Sequence, residues 1–139
     1  MATTATITLN TDIIPYFGSY SKTMTLTEAG TTIDLKETTG YSRKKLVSAS
    51  KVDLFTMANT AVDTTATTTG AKVFIKNIGY LGTVSKDKGV KVLINSVEIG
   101  VLYGDDWLMI PVVTSDAEDI EVQPDTDDAV VLEYAMFFQ

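Results

Sequence analysis

The sequence contains no cysteine and no histidine. Without thiolates the chain can form neither a disulfide framework nor a cysteine metal site, and without imidazole it lacks the commonest general base. Its apolar runs stay well short of the ~20 residues of a membrane-spanning helix. The first ten residues also lack the basic and apolar regions of a secretory signal. We therefore expect no enzyme, no cofactor and no membrane attachment, and we expect synthesis in the cytosol.

Basic residues are absent after Lys91, so the chain is divided by charge. Residues 1–97 contain eleven basic and seven acidic residues, whereas residues 98–139 contain eleven acidic residues and no basic one. Acidic loops of this kind keep a small protein soluble, and they also give neighbouring copies complementary surfaces that set their register in an assembly. Nucleic acid is disfavoured as a partner because the acidic part of the chain repels phosphates.

Two runs of alternating apolar residues surround Asn95–Ser96. A two-residue hairpin turn at this pair places Val92 opposite Ile99, which puts the apolar residues of both strands on one face. Gly and Asp residues in 103–106 predict a second turn, and residues 107–113 predict a third strand. The stretch therefore predicts an antiparallel β-meander.

The abundant threonine, valine and isoleucine favour strands over helices, and 139 residues suffice for one hydrophobic core. The run 129–138 is too apolar for an edge strand, so we expect it at the centre of a sheet. Loops are predicted at residues 36–42, which are polar, and at residues 59–70, which are rich in threonine. An all-β fold of two packed antiparallel sheets, a β-sandwich, is expected in residues 22–139, after an irregular arm in residues 1–21. Further predicted strands are 22–27 and 31–35 (a hairpin), two within 46–57, then 72–77 and 119–123.

The arm is apolar but irregular, because Pro15 and Gly18 interrupt any strand or helix. Apolar side chains in such a segment must be buried, either along the arm's own sandwich or on a neighbouring subunit. The candidate docking residues are Ile13, Ile14, Tyr16 and Phe17.

Several motifs that could carry chemistry have a simpler interpretation. Tyr103–Asp106 reads YGDD, a string found in polymerase metal sites, but Gly and Asp are the ordinary residues of a β-turn. Asp125, Asp127 and Asp128 are oxygen ligands suited to calcium, yet they lack the EF-hand pattern and are typical of a solvated loop. Serine and threonine nucleophiles have no histidine to activate them. We therefore expect no metal site and no catalytic residue.

Two groups of residues are candidate contact sites. Arg43, Lys44 and Lys45 form the one basic run, which is either a solvated loop or a partner for an acidic surface on another chain. Tyr103 and Trp107 lie beside the acidic turn and form a possible ligand platform that stacks on a sugar, as in lectins. The alternative for Trp107 is core packing, which buries a large ring area.

Four segments, residues 72–79, 90–102, 104–113 and 132–134, resemble small virion proteins of tailed bacteriophages. The resemblance implies a jelly-roll-like sandwich without enzymatic activity, a viral structural protein located in the virion after assembly in the host cytoplasm. It further implies a capsid decoration or cement subunit, a homo-oligomer with a trimer favoured, that bridges capsomers of the major capsid protein and stabilises the shell.

Two other functions stay open. The protein is alternatively a tail, neck or baseplate component that binds other virion proteins. It is alternatively a carbohydrate-binding, lectin-like β-sandwich that uses Tyr103 and Trp107.

Overall fold

The computed structural model describes residues 2–9, 20–27, 37–38, 41–56, 70–79, 87–113, 119–127 and 129–138. In this part of the chain every regular element is a β-strand, as predicted. None of the described residues forms a helix long and apolar enough to cross a bilayer. The chain divides into two compact units, residues 1–36 and 37–139. The predicted boundary between arm and sandwich, after residue 21, stays a prediction.

The described strands are numbered in chain order. They are β1 (Ala2–Leu9), β2 (Tyr20–Thr27), β3 (Glu37–Thr38), β4 (Ser42–Leu46), β5 (Val52–Phe55), β6 (Gly70–Gly79), β7 (Val90–Ile94), β8 (Val97–Leu102), β9 (Trp107–Val113), β10 (Ile120–Pro124) and β11 (Val130–Phe138).

The first unit contains a two-stranded antiparallel sheet. β1 pairs with β2 over eight residues, from Ala2 opposite Thr27 to Leu9 opposite Tyr20. β2 was predicted to form a hairpin with residues 31–35, which lie outside the described residues. The central part of the predicted arm, residues 10–19, also lies outside them.

In the second unit, β4 to β11 pair as one long hairpin folded over on itself. β4 pairs with β11, β5 with β10, β6 with β9 and β7 with β8, all antiparallel. Two further pairings, of β11 with β6 and of β10 with β7, join the strands into sheets β4-β11-β6-β9 and β5-β10-β7-β8. β3 pairs with the end of β11. Two four-stranded sheets connected in this way form a jelly roll, so the predicted jelly-roll-like β-sandwich is confirmed.

The core lies between the two sheets. In β6 every second residue from Ala71 to Gly79 is buried and the residues between them are partly exposed, as expected for a strand with one face on a core. β11 lies between β4 and β6, which confirms its predicted central position. The buried cluster contains Leu46, Phe55, Ala71, Val73, Ile75, Val90, Val92, Leu102, Ile120, Val122, Val130, Leu132 and Met136.

The predicted meander is wrong, because β9 pairs with β6 in the other sheet and not with β8. The turn that precedes β9 is bonded to β6. The amide of Asp105 donates to the carbonyl of Asn77 (2.8 Å), and the amide of Asn77 donates to the carbonyl of Asp106 (3.0 Å). A Gly-Asp turn closes a hairpin or a corner between sheets equally well, so its sequence does not distinguish the two.

The β7–β8 hairpin has the predicted turn but a different register. Asn95 and Ser96 have φ angles of 50° and 65°, as a two-residue hairpin turn requires. A bulge then places Val92 opposite Gly100 and leaves Ile99 without a partner, so the predicted Val92–Ile99 pair is wrong. Because the register shifts by one residue, Leu102 faces the core in the place predicted for Val101.

The region around the basic run also differs from expectation. Residues 36–42 were predicted as a loop, but Glu37–Thr38 form β3 and Ser42 begins β4. The prediction failed because β4 is an edge strand, where charged residues are common and leave little apolar alternation. Two strands were predicted within residues 46–57. The second corresponds to β5, whereas only Leu46 of the first lies in a strand, as the last residue of β4. The predicted threonine-rich loop covers residues 59–70. Residues 59–69 lie outside the described residues, and Gly70 begins β6.

Candidate binding surface

The outer face of the β4-β11-β6-β9 sheet is built by strand alternation. Residues that face each other across an antiparallel pair project from the same side of the sheet. Since Val73 and Ile75 of β6 project into the core, Phe74 projects outward. The paired residues that share this outer face are Lys72 with Pro111 and Phe137, Phe74 with Met109 and Ala135, and Lys76 with Trp107 and Glu133.

Three aromatic rings cross this face, and we call them the aromatic row: Tyr41, Phe74 and Trp107. The ring centroids of Tyr41 and Phe74 are 5.6 Å apart in an edge-to-face contact, and those of Phe74 and Trp107 are 6.2 Å apart and tilted by 35°. Tyr41 is 66% exposed and Trp107 is 38% exposed, while Phe74 between them is half-buried. The row therefore presents aromatic surface at both of its ends.

Ala135 explains how rings from separate strands meet. It lies on β11 directly opposite Phe74, one residue beyond the Tyr134–Ser42 pair, so it sits between Tyr41 and Phe74. Its side chain is fully buried although it projects outward. A single methyl group at this position leaves room for the two rings to contact each other above it.

Charged groups surround the aromatic row. Arg43 donates through Nε to Glu133 Oε1 at 2.8 Å, and Lys76 Nζ lies 3.9 Å from Asp105 Oδ1. These pairs are largely solvated, so each contributes about 0–1 kcal/mol at most. They neutralise one another, so that among the described residues of the outer face Lys45 and Lys72 are the cations without an ion-pair partner.

Lys72 differs from Arg43 and Lys76, the paired cations of this surface. Within the described part of the chain it has no ion-pair or hydrogen-bond partner. Its neighbours across the sheet are Pro111 and Phe137, which are apolar. Partial burial lowers the pKa of Lys72 below its ordinary value, because desolvation disfavours the charged ammonium.

The predicted platform residues occupy different settings. Tyr103 opens the turn that precedes β9 and is 47% exposed. The Tyr103 amide donates to Asp106 Oδ2 (3.0 Å), and the Asp106 amide donates to the Tyr103 carbonyl (2.9 Å), which confirms the β-turn interpretation of YGDD. Among the described residues the ring contact of Trp107 is with Phe74 and not with Tyr103. Ligand binding by Tyr103 and Trp107 stays a prediction.

The predicted basic run is divided between two faces of β4. Arg43 and Lys45 project outward, opposite Glu133 and Val131. Lys44 projects to the other side, where its Nζ donates to the carbonyl of Asp53 in β5 at 3.0 Å. The three cations therefore do not form one surface, and their role as an interface stays a prediction.

The remaining predicted contact residues cannot be placed. Ile13, Ile14, Tyr16 and Phe17 lie outside the described residues. Asp128 lies outside them as well, and Asp127 accepts a hydrogen bond from the amide of Ala49 at 2.8 Å. In the ranges that the structure describes, no three acidic residues converge on a possible metal position.

The outer face of the β5-β10-β7-β8 sheet contains a buried carboxylate, Glu121, with 5% exposure. Glu121 forms an ion pair with Lys51, and its Oε2 accepts a hydrogen bond from the amide of Ser96 at 2.6 Å. Lys51 Nζ also donates to Ser96 Oγ at 2.7 Å. The Lys51 hydrogen bond holds the pKa of Glu121 below its ordinary value, against the opposing effect of burial. This network ties the β7–β8 turn to β10.

Asn77 has a structural role that the sequence did not reveal. It is fully buried in β6, and its Nδ2 donates to the carbonyls of Lys88 (3.0 Å) and Leu102 (2.9 Å). Its Oδ1 accepts from the amide of Gly79 at 2.8 Å. Asn77 thereby joins β6 to the end of β8 and to the segment that leads into β7.

Sequence reasoning also missed Tyr41 and Phe74. Phe74 had a usable signal, because in a strand whose Val73 and Ile75 face the core, the residue between them projects outward. Tyr41 had none, since its position depends on the pairing of β4 with β11, which is distant in sequence.

Comparisons with known proteins do not assign a function. Neither the known protein-family models nor the curated proteins include a match to this sequence. The jelly roll itself occurs in viral capsid proteins, lectins and cupins, and a fold shared so widely does not define a function.

Proposed function

We propose that this protein is a non-enzymatic structural subunit of a virus particle, a capsid decoration or cement protein that bridges capsomers of the major capsid protein. The observation that carries the proposal is the division of the chain into two compact units, of which the second contains the jelly roll and the first contains the β1–β2 sheet. An isolated two-stranded sheet is marginally stable in water and gains stability from a surface on which it packs. The proposal assigns that surface to neighbouring subunits of the shell.

In this mechanism residues 1–36 would attach the protein to neighbouring subunits of the shell, and the jelly roll would lie on the shell surface. The predicted docking residues, Ile13, Ile14, Tyr16 and Phe17, would supply the buried apolar area. Arg43 and Lys45, both on the outer face of an edge strand, would set the register against acidic groups of a neighbouring chain. Each copy would contribute a modest interface. In a trimer three such interfaces would bind together, which would raise the overall affinity for the shell.

Cosedimentation with capsids that lack the protein tests this proposal. We expect the full chain to sediment with capsids and a chain of residues 37–139 to remain in the supernatant. Because truncation can affect folding, a full-length Ile14→Asp/Phe17→Asp variant provides a second test. Its thermal unfolding shows whether the jelly roll is still folded. Capsid binding that survives in both variants would contradict the proposal.

The same experiment distinguishes the location in the particle. A tail, neck or baseplate component would sediment with purified tails and not with capsids. Light scattering gives the oligomeric state, for which we expect a trimer that persists at high salt if apolar contacts hold it together.

A further inference from the structure

We propose that the aromatic row and Lys72 form a binding site for a carboxylate-bearing oligosaccharide. The site differs from the predicted platform of Tyr103 and Trp107, because it uses the rings that contact each other on the sheet surface. Its rings and Lys72 are not among the residues assigned above to the capsid contact, and its test needs no capsid.

The shape of the aromatic row fits a chain of sugar rings. Sugars have apolar C–H faces that pack on aromatic rings and polar edges that form hydrogen bonds. Tyr41 and Trp107 are exposed at the two ends of the row, and Phe74 supports both rings from between them. The row extends from the start of β4 to the start of β9, so it offers successive stacking positions and not a single pocket.

Polar groups lie beside each ring. Lys72 and Lys76 flank Phe74 along β6, and Lys76 lies opposite Trp107 on β9. Arg43 lies two residues after Tyr41 and is paired with Glu133. An apolar protein partner favours a contiguous apolar patch with charge confined to its rim, whereas rings alternating with charged donors match the alternating faces and edges of an oligosaccharide.

The charge of the site selects an acidic ligand. Arg43 is paired with Glu133 and Lys76 with Asp105, which leaves Lys45 and Lys72 without a counter-charge among the described residues, and of these two Lys72 is the one that flanks Phe74 on β6. Lys72 lies between the apolar residues Pro111 and Phe137 and is partly buried, which makes its charge less favourable than in water. A ligand carboxylate that reached Lys72 would restore the missing counter-charge, and groups held at a cost in stability are common at functional sites.

Isothermal titration of the full chain tests the proposal, with oligogalacturonate and oligomannuronate as acidic probes and a cello-oligosaccharide of equal length as the neutral probe. We expect the wild type to bind an acidic probe more tightly than the neutral one. Tyr41→Ala and Trp107→Ala should each weaken acidic binding by about tenfold or more. Lys72→Met should remove the preference for the acidic probe, and Tyr103→Ala should leave binding unchanged.

Any one of three binding results would overturn the proposal. The wild type fails to bind either acidic probe, or binding withstands both Tyr41→Ala and Trp107→Ala, or Tyr103→Ala weakens it equally. If a second copy covers the row instead, light scattering will show an oligomer that Tyr41→Ala dissociates, which also overturns it. Capsid cosedimentation is independent of all these results, so failure of one proposal is distinguishable from failure of the other.

Discussion

The two outer faces of the jelly roll differ in how one charged residue of an interior strand is placed. On the β5-β10-β7-β8 face, Glu121 is buried and bonded to Lys51 and to the amide of Ser96, so its charge joins three segments of the chain. On the β4-β11-β6-β9 face, the ion pairs are solvated and Lys72 has no partner in the described residues. The first face is organised for stability, whereas the second presents rings and charges that are free to contact a ligand.

This difference shows why exposure and pairing carry more functional information than residue type. Glu121 and Lys72 both project outward from an interior strand. Glu121 has hydrogen-bond and ion-pair partners, whereas Lys72 has none among the described residues. The variants below therefore separate effects on folding from effects on binding.

Among variants on the two outer faces, the largest effect is expected for Glu121→Ala. The substitution removes the acceptor of the Ser96 amide and the counter-ion of Lys51, at a cost of about 2 kcal/mol in the free energy of unfolding. Urea denaturation measures this loss. Asp53→Ala is the matched control, because Asp53 lies directly opposite Glu121 in the sheet but is exposed, and it should change stability by about 0.5 kcal/mol or less. Equal losses in the two variants would contradict the role assigned to Glu121.

Lowering the pH should gradually remove the contribution of the Glu121 carboxylate to the free energy of unfolding. The pKa of Glu121 is lower in the folded protein than the ordinary value of 4.5, so its stabilisation is complete above that pH and is lost as the pH falls through the lowered folded value. Glu121→Gln lacks this titration. Thermal unfolding between about pH 7 and pH 3 should therefore show a shallower acid dependence in Glu121→Gln than in the wild type, and parallel curves would count against the pKa direction.

On the opposite face, Tyr41→Ala should change folding little. Its ring is mostly exposed, so loss of its contact with Phe74 should cost about 0.5–1 kcal/mol. Phe55 provides the matched comparison, because it makes a similar edge-to-face contact with Tyr134 but lies in the core. Phe55→Ala should cost about 3–5 kcal/mol in the same urea experiment. A Tyr41→Ala loss as large as that of Phe55→Ala would mean that the aromatic row is structural.

The smallest effect, and of opposite sign, is expected for Lys72→Met. Desolvation lowers the pKa of Lys72, so the charged form is disfavoured by folding and the penalty is present at neutral pH. A methionine of similar length removes that penalty and should raise the melting temperature slightly. A lower melting temperature would show that the ammonium has a stabilising partner.

Local patterns in the sequence predict much of this fold, and long-range pairings account for what they miss. Residues 107–113 and the Asn95–Ser96 turn are found where alternation and turn chemistry place them. The bulge at Ile99 leaves no local signal, because it depends on how β8 meets β7.

The candidate site was only half predictable for the same reason. Trp107 is visible in the sequence as an aromatic residue beside a turn. Its partners Tyr41 and Phe74 come from strands whose neighbours are distant in the chain, so their proximity appears only when β4, β11, β6 and β9 are arranged side by side.

Trp107 also provides the most direct test, because it is the one tryptophan of the chain and its fluorescence reports on the aromatic row alone. We would measure its emission, and its quenching by acrylamide, during titration of the wild type with oligogalacturonate and with oligomannuronate. The account predicts a saturable change in emission and protection from the quencher with at least one acidic probe, and a weaker response to a neutral oligosaccharide of equal length. Emission and quenching that stay constant up to millimolar concentrations of both acidic probes would contradict it.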